Sequence, residues 1–267
     1  MFITIEFRGR IKGVRMKKLK IVLLAFALLG TAFCGSSKKK VALENEKNPQ
    51  YQYEMALVAM QYKLPDEALK YLDLALSLDP RHYQALNLMG VIQLNKKNYA
   101  EAAAALEKCL EIRSDVPEVH TNLGTAYQNL GQKDKAETEF RKAFALNQSA
   151  YAAFSLAQFF YEKKDPAQAL EFIEKAIRGS KKGEAAYFNL QGIILNQLER
   201  YPEALASFLA GLALMPGDVN MRVNLGITYV NNKQPDKARE TFEKVLPLIK
   251  DQALIKRVKD YLDAIKK

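Results

Sequence analysis

A repeat of about 34 residues constrains the fold of this chain more than any other feature of its sequence. A small residue recurs at spacings of 34, 34, 33, 35 and 34, at Ala56, Gly90, Gly124, Ala157, Gly192 and Gly226. An alanine stands twelve positions after each of them, and a bulky apolar residue stands four positions later, as Ala136 and Phe140 do in the third unit. Six copies in register predict an array of similar structural units rather than one compact core.

The third unit indicates what each unit folds into. Leu123 and Tyr127 have helical spacing, Gly131 interrupts the helix, and Ala136 and Phe140 lie one turn apart on a second helix. A small residue on the first helix that faces an alanine on the second lets the two helix axes approach closely. Each unit is therefore predicted to be a helix-turn-helix hairpin.

The small, alanine and aromatic positions resemble the tetratricopeptide repeat (TPR) in all six units. This resemblance covers residues 49–252 and implies an all-α fold, a right-handed superhelical solenoid of six TPR helix hairpins. Residues 253–267 then place Leu254, Val258 and Ile265 on one helix face and lysines on the other. We expect this segment to be a capping helix, because a stacked array exposes an apolar face at its end.

The N-terminal part of the chain has the pattern of a secretory leader. A basic stretch after Met16 precedes an apolar run of 13 residues from Ile21 to Phe33. A spanning helix needs about 20 apolar residues, so this run favours a cleaved signal over a membrane anchor. We predict a signal peptide over residues 1–33, with Met16 as the true start.

The end of the leader resembles a bacterial lipoprotein signal, in which Cys34 becomes the lipidated first residue. The chain departs from that pattern at Thr31, where the family usually has Leu, and at Phe33, where it has a small residue. The alternative is cleavage after Ala32, which would release a soluble periplasmic protein. With Gly35 after the cysteine, the resemblance implies an outer-membrane lipoprotein that faces the periplasm.

The net charge of +10 lies mostly outside the repeats. Residues 1–33 contain seven Lys or Arg and one Glu, and so contribute +6. Residues 34–48 include Lys38, Lys39 and Lys40 and have little apolar periodicity, which predicts a flexible tether. The remaining chain is nearly neutral and has no stripe of basic residues, so we expect no nucleic-acid partner.

The sequence offers no constellation for catalysis or metal binding. Its two histidines, His82 and His120, have no partner that the sequence reveals, and Cys109 falls at a shared small-residue position that predicts a buried thiol. No nucleophile stands near a base in the pattern. We therefore predict a protein that is not an enzyme and that needs no cofactor and no metal.

In tetratricopeptide arrays the first helices line a concave groove, so the resemblance implies a candidate partner-binding surface. Steps of three and four along each first helix give its residues: Tyr53, Leu57, Met60, Asn87, Val91, Asn95, Thr121, Thr125, Asn129, Tyr151, Phe154, Gln158, Tyr161, Asn189, Ile193, Asn196, Val223, Ile227 and Asn231. Neighbouring Phe159 and Phe160 are predicted to be core residues. Amides beside apolar side chains suit an extended peptide or a partner helix, because carboxamides can pair with its backbone. The groove lacks the paired Lys and Arg with which family members hold acidic C-terminal tails.

A lipid anchor, a tether, six repeats and a cap together resemble the pilotin lipoproteins of type IV pilus systems, which help the outer-membrane secretin assemble. The expected function is a non-catalytic protein-protein interaction scaffold of the bacterial envelope. Two alternatives stay open. One is an adaptor that presents substrates to an envelope peptidase, and the other is a component of another outer-membrane assembly machine.

Overall fold

The computed structural model describes residues 45–181 and 183–265 of the 267. The predicted signal peptide, the lipidation site Cys34 and most of the predicted tether lie outside the described residues. Lys266 and Lys267, at the end of the predicted cap, lie outside them as well.

The described residues form six helix hairpins and one further helix. The hairpins are α1 Pro49–Gln61 with α2 Pro65–Leu78, α3 Tyr83–Asn95 with α4 Tyr99–Ile112, α5 Pro117–Asn129 with α6 Lys133–Asn147, α7 Ala150–Glu162 with α8 Pro166–Gly179, α9 Ala185–Gln197 with α10 Tyr201–Leu214, and α11 Val219–Asn231 with α12 Pro235–Val245. A 3-10 turn, Leu246–Leu248, leads to α13, Gln252–Ile265. The predicted all-α solenoid of six hairpins with a C-terminal helix is confirmed.

Local chemistry explains where the helices begin. Proline stands in the first turn of α2, α8, α10 and α12, where its missing N–H would have no helical partner in any case. Side chains cap other starts. Oδ1 of Asp165 accepts from the backbone N–H of Gln168 at 3.1 Å, and Oδ1 of Asp218 accepts from that of Met221 at 2.8 Å.

The turn inside each hairpin needs one residue in the left-handed region. Gly131 meets this need in the third repeat with φ of +74°. The equivalent residues of the other repeats have side chains and still take φ between 56° and 64°, at Lys63, Lys97, Lys164, Glu199 and Lys233. The same tight turn therefore closes every hairpin, although glycine occupies the position only once.

Close approach of the two helices explains why the first-helix position is small. A Cβ added at Gly124 would lie 2.8 Å from Cδ1 of Phe140, and one added at Gly192 would lie 2.7 Å from Cε1 of Phe208. Real Cβ atoms do not approach other atoms this closely, so the bulky residue of the second helix already fills the space. The packing predicted from the repeat pattern is therefore present.

The core is divided into three groups of buried side chains. The largest runs from Leu86 to Leu225 and contains Phe159 and Phe160, which are buried as predicted. A smaller group belongs to the first two repeats, from Ala56 to Ile92. The third joins the sixth repeat to α13 through Val258, which is fully buried.

The first helices form the inner layer of the array. From α3 onward, each first helix lies against the first helix of the next repeat, whereas the second helices of neighbouring repeats approach one another less closely. In a curved array the more closely spaced helices lie on the concave side. We call the surface of α1, α3, α5, α7, α9 and α11 the inner surface.

Candidate protein-binding groove

The inner surface is almost free of charge. The six first helices contain four charged residues, Glu54, Glu118, Glu162 and Arg222, whereas the six second helices contain 26. Arg222 donates to the backbone O of Pro216 in the preceding turn. Charged groups are strongly hydrated, so their segregation to the outer helices leaves an inner surface that can be dehydrated at low cost.

Most predicted groove residues are accessible. Six of them are exposed, namely Leu57, Asn95, Asn129, Tyr151, Gln158 and Asn231. Ten more are half-buried: Tyr53, Met60, Asn87, Val91, Thr125, Phe154, Tyr161, Asn189, Ile193 and Asn196. These sixteen side chains lie on all six first helices, and so they extend along the whole inner surface.

Three predicted groove residues are buried instead, and this corrects the reading of the sequence. Thr121 is 2% exposed, and its Oγ1 donates to the backbone O of Pro117 in the same helix. Val223 and Ile227 belong to the core group that α13 helps to form, and Ile227 is 8% exposed. They cannot present surface to a partner because neighbouring helices already cover them.

Aromatic residues concentrate where the fourth and fifth repeats meet. The rings of Phe154 on α7 and Tyr187 on α9 lie 4.7 Å apart between centroids, inclined at 35°. Burial raises the pKa of Tyr187, and the nearby Glu184 and Tyr151 raise it further. Tyr151 itself is 55% exposed. We call the packed rings of Phe154 and Tyr187 the aromatic floor of the inner surface, and the exposed ring of Tyr151 lies near it.

Asparagines of neighbouring repeats bond to each other along the C-terminal half of the inner surface. Nδ2 of Asn231 donates to Oδ1 of Asn196 at 3.2 Å, and Nδ2 of Asn224 reaches Oδ1 of Asn189 at 3.5 Å. Each pair leaves the Oδ1 of one asparagine and the Nδ2 of the other to bond a ligand. Sequence reasoning missed Asn224, although its position 35 residues after Asn189 was the available signal.

Two amide side chains in the N-terminal half, Gln52 and Asn87, have an oxygen without a hydrogen-bond partner among the described residues. Oδ1 of Asn87 on α3 is buried and has no hydrogen-bond partner within the part of the chain that the structure describes. A buried acceptor of this kind is stabilised when a donor reaches it. The Asn87 side chain as a whole is half-buried, and it lies one turn before Val91 on α3.

The histidines have partners that the sequence did not reveal. His82 caps α3 through Nδ1, which accepts from the backbone N–H of Ala85 at 3.3 Å, and its ring lies 5.5 Å from that of Tyr53. His120 is buried and contacts Glu139. Cys109 is buried as predicted, and burial raises the pKa of its thiol. Within residues 45–181 and 183–265, His, Cys, Asp and Glu form no group suited to a metal ion.

Among the helices of residues 45–181 and 183–265, none is long and apolar enough to cross a membrane.

Comparison with known families identifies the repeats. Two family models, both described as Tetratricopeptide repeat, match residues 81–155 and 195–260. The chain is a tetratricopeptide-repeat protein. A third model, described as Anaphase-promoting complex, cyclosome, subunit 3, matches residues 129–211 of the tetratricopeptide-repeat array. None of the three models describes an enzyme, and the fold serves protein-protein interaction.

Known relatives of the tetratricopeptide-repeat array have diverse roles. Anaphase-promoting complex subunit 3 of Schizosaccharomyces pombe is 24% identical over 201 residues, which cover 74% of this chain and 30% of that protein. Type IV pilus assembly protein PilF of Pseudomonas aeruginosa is 30% identical over 143 residues, which cover 52% of this chain and 56% of PilF. The chain thus spans less than two thirds of the length of either curated relative.

Solved structures share the architecture of the tetratricopeptide-repeat array. The crystal structure of PilW, described as a widely conserved type IV pilus biogenesis factor, superposes with a TM-score of 0.69 at 13% identity. The superposition covers 82% of this chain and 98% of that one. At this identity the likeness demonstrates the fold alone.

Proposed function

We propose that this protein is a non-catalytic scaffold of the bacterial envelope that binds an extended segment or helix of a partner protein along its inner surface. The observation that carries the proposal is the contrast in charge between the two layers of helices. Only four charged side chains occupy the first helices, while amides and apolar groups form the rest of the accessible inner surface. Such a surface favours a partner that contributes backbone polar groups and apolar side chains.

The aromatic floor supplies the anchor for this partner through Phe154, which is half-buried, whereas Tyr187 is buried and holds the ring of Phe154 in place by packing against it. Large rings held rigidly by packing lose little conformational entropy on binding, and they bury much apolar area. On either side, Asn87, Asn189 and Asn196 can pair with the peptide groups of a bound segment. We infer that the aromatic floor contributes most of the affinity and that the amides set the register of the bound segment.

We further propose that the partner belongs to a type IV pilus assembly system, with a pilotin-like role in secretin assembly. The similarity to PilF of Pseudomonas aeruginosa supports this assignment, and the likeness of fold to PilW is consistent with it. The apolar leader before Cys34 supports an envelope location.

Site-specific photo-crosslinking tests the binding surface. A photoreactive amino acid replaces Gln158, which is exposed on α7, and in a matched control it replaces Ala104, which is exposed on the outer helix α4. We expect the inner position to crosslink one envelope protein and the outer position to leave it unlabelled. Phe154→Ala should reduce the yield at position 158, because it removes the anchor. Equal labelling from both positions would show that the inner surface is not the binding site.

Mass spectrometry of the crosslinked partner tests the pilus assignment. A secretin or another pilus-assembly component is the expected product, and an envelope peptidase or an unrelated assembly machine would contradict the assignment.

The envelope anchor has its own test. Cys34→Ala should move the protein from the membrane fraction to the soluble periplasm and remove the mass of the acyl chains. A wild-type protein that begins at Phe33, or that carries an unmodified Cys34, would contradict lipidation.

A further inference from the structure

The outward face of α10 differs from that of every other second helix. At the position of Leu209, the other five repeats carry charged residues, namely Asp73, Glu107, Arg141, Glu174 and Glu243. Leu209 is 50% exposed, and Ala206, Ala210 and Ala213 occupy the outward positions around it. The single charged residue of α10 is Glu203, which pairs with Arg200 at 2.6 Å in the first turn. We call Ala206, Leu209, Ala210 and Ala213 the α10 face.

The α10 face has the shape of a helix-packing surface. One leucine projects between alanines placed three or four residues away, so a second helix can approach closely and receive the leucine in a gap between its own small residues. An exposed apolar patch with a polar rim marks an interaction site on a soluble protein. The five other repeats show that this fold accepts charge at the same position, so the fold itself does not require leucine there.

The rim on α8 identifies the partner. Glu171 and Glu174 precede Lys175 and Arg178, and each lysine or arginine is paired with the glutamate four residues before it. Suppose that two copies meet with their α10 helices antiparallel, about a two-fold axis that passes between Leu209 and Ala210. Glu174 then stands opposite Lys175 of the second copy, and Glu171 stands opposite Arg178 of the second copy.

The rim on α12 obeys the same rule. Glu243 directly precedes Lys244, so the same two-fold axis brings Glu243 opposite Lys244 of the second copy. With parallel α10 helices, α8 would instead lie over α12 of the other copy. That arrangement would oppose Glu174 to Glu243 and Lys175 to Lys244, which are like charges. Like charges brought together in an interface are unfavourable, so the rim selects the antiparallel arrangement.

We propose that the α10 face is the self-association surface of this protein, and that it forms an isologous dimer with antiparallel α10 helices. This inference goes beyond the proposed binding function, because it concerns the outer layer and leaves the inner surface free. One helix face with the side chains of its two neighbours lies at the small end of the range of interface sizes. Because this small interface has a single leucine anchor, we expect a weak dimer with a dissociation constant on the order of 10 to 100 µM.

Sedimentation velocity of the purified protein, from about 5 to about 500 µM, tests the proposal because this range spans the expected dissociation constant. The wild type should shift from monomer to dimer with increasing concentration. Leu209→Glu, which introduces the residue found at positions 107, 174 and 243, should stay monomeric with an unchanged circular dichroism spectrum. Leu74→Glu changes another half-exposed leucine, on the outer face of α2, and should dimerise like the wild type. A wild type that stays monomeric throughout, or a Leu209→Glu variant that dimerises, overturns the proposal.

A charge exchange tests the arrangement of the two copies. Glu174→Lys opposes two lysines across the axis and should raise the dissociation constant by about tenfold or more. Adding Lys175→Glu to the same chain restores opposite charges and should recover the wild-type constant. If the double variant associates as weakly as the single one, the antiparallel arrangement is wrong.

Discussion

His120 and Glu139 meet in the interior of the third hairpin, with Nδ1 of the imidazole 2.5 Å from Oε2 of the carboxylate. The other ring nitrogen, Nε2, lies 2.9 Å from the backbone O of Ser114, which can only accept a hydrogen bond. Lys142 on the same helix donates to the second carboxylate oxygen of Glu139 at 2.9 Å. The buried carboxylate is therefore paired on both sides, and the histidine ties α5 both to α6 and to the preceding turn.

This pair predicts an asymmetric response to substitution. His120→Phe keeps the volume of the ring but leaves one buried oxygen of Glu139 unpaired, so it should lower the free energy of unfolding by about 1 to 3 kcal/mol. His120→Phe combined with Glu139→Leu should recover much of the loss, because no buried carboxylate is then left without its partner. Urea unfolding measures both variants. If His120→Phe is as stable as the wild type, the pair contributes nothing.

Gly192, at the small position of α9, should not accept even one methyl group, although the first and fourth repeats carry Ala56 and Ala157 at that position. In Gly192→Ala the new Cβ would lie 2.7 Å from the ring of Phe208, so the hairpin must open or the ring must move. We expect a loss of about 1 to 3 kcal/mol in urea unfolding. Gly217→Ala is the matched control, because a Cβ there has no atom within 4 Å. Equal stability of the two variants would show that the hairpin packs less tightly than described.

The repeat pattern predicted the hairpins and this contact because both depend on short spacings that occur six times. Gly124 and Phe140 illustrate the point, since their separation within the hairpin fixes which helix faces meet. The sequence could not predict the pairing of His120 with Glu139, because that depends on side-chain conformation and not on the repeat. It also failed at Ile227, which has the groove spacing but is covered by the arrangement of the sixth repeat with α13.

A substitution at Gly131 tests backbone strain without changing side-chain packing. A Cβ added there would have no atom within 4 Å, but φ of +74° is unfavourable for any residue with a side chain. Gly131→Ala should therefore destabilise the protein by about 0.5 to 1 kcal/mol. The cost of the left-handed conformation is partly offset, because alanine reduces the conformational entropy of the unfolded chain. Lys97→Ala is the control, since it retains a Cβ at φ of 64° and should change stability little. Thermal melts compare the two, and a stabilising Gly131→Ala would contradict the expectation.

Alkaline pH should weaken the second repeat. Burial, helped by the neighbouring Cys109, raises the pKa of Tyr83 from 10.0 to about 12. The folded state therefore favours the neutral phenol, and its contribution to stability is complete below pH 10 and is lost as the pH rises to about 12. Tyr83→Phe should unfold with less dependence on pH in this window, as measured by urea titrations at several pH values. Tyr62→Phe changes an exposed tyrosine and is the control. Identical pH profiles for Tyr83→Phe and the wild type would refute the prediction.

Binding at the inner surface should depend little on salt. Because the first helices carry so few charges, raising ionic strength to physiological values should change the affinity for the crosslinked partner only slightly. Tyr161→Ala should weaken binding by about 1 to 3 kcal/mol, because it removes an apolar anchor. Asn95→Asp should also weaken it, because a carboxylate cannot donate to a peptide carbonyl. Titration calorimetry at two salt concentrations measures all three effects, and a steep loss of affinity with salt would place the binding surface on the outer helices.

The division of the core into three groups has a mechanical consequence. If the protein is anchored at its N-terminus, as proposed, any pull reaches the array through α1, which belongs to the small group between Ala56 and Ile92. Most of that group comes from the first repeat, whereas Leu86, Ala102 and Leu106 of the second repeat belong to the large central group, so under tension the first repeat should peel away while the centre holds. The same order should govern amide hydrogen exchange, with α1 and α2 opening before α7 and α8. The first hairpin would then extend under tension and lengthen the link between the point of attachment and the aromatic floor around Phe154.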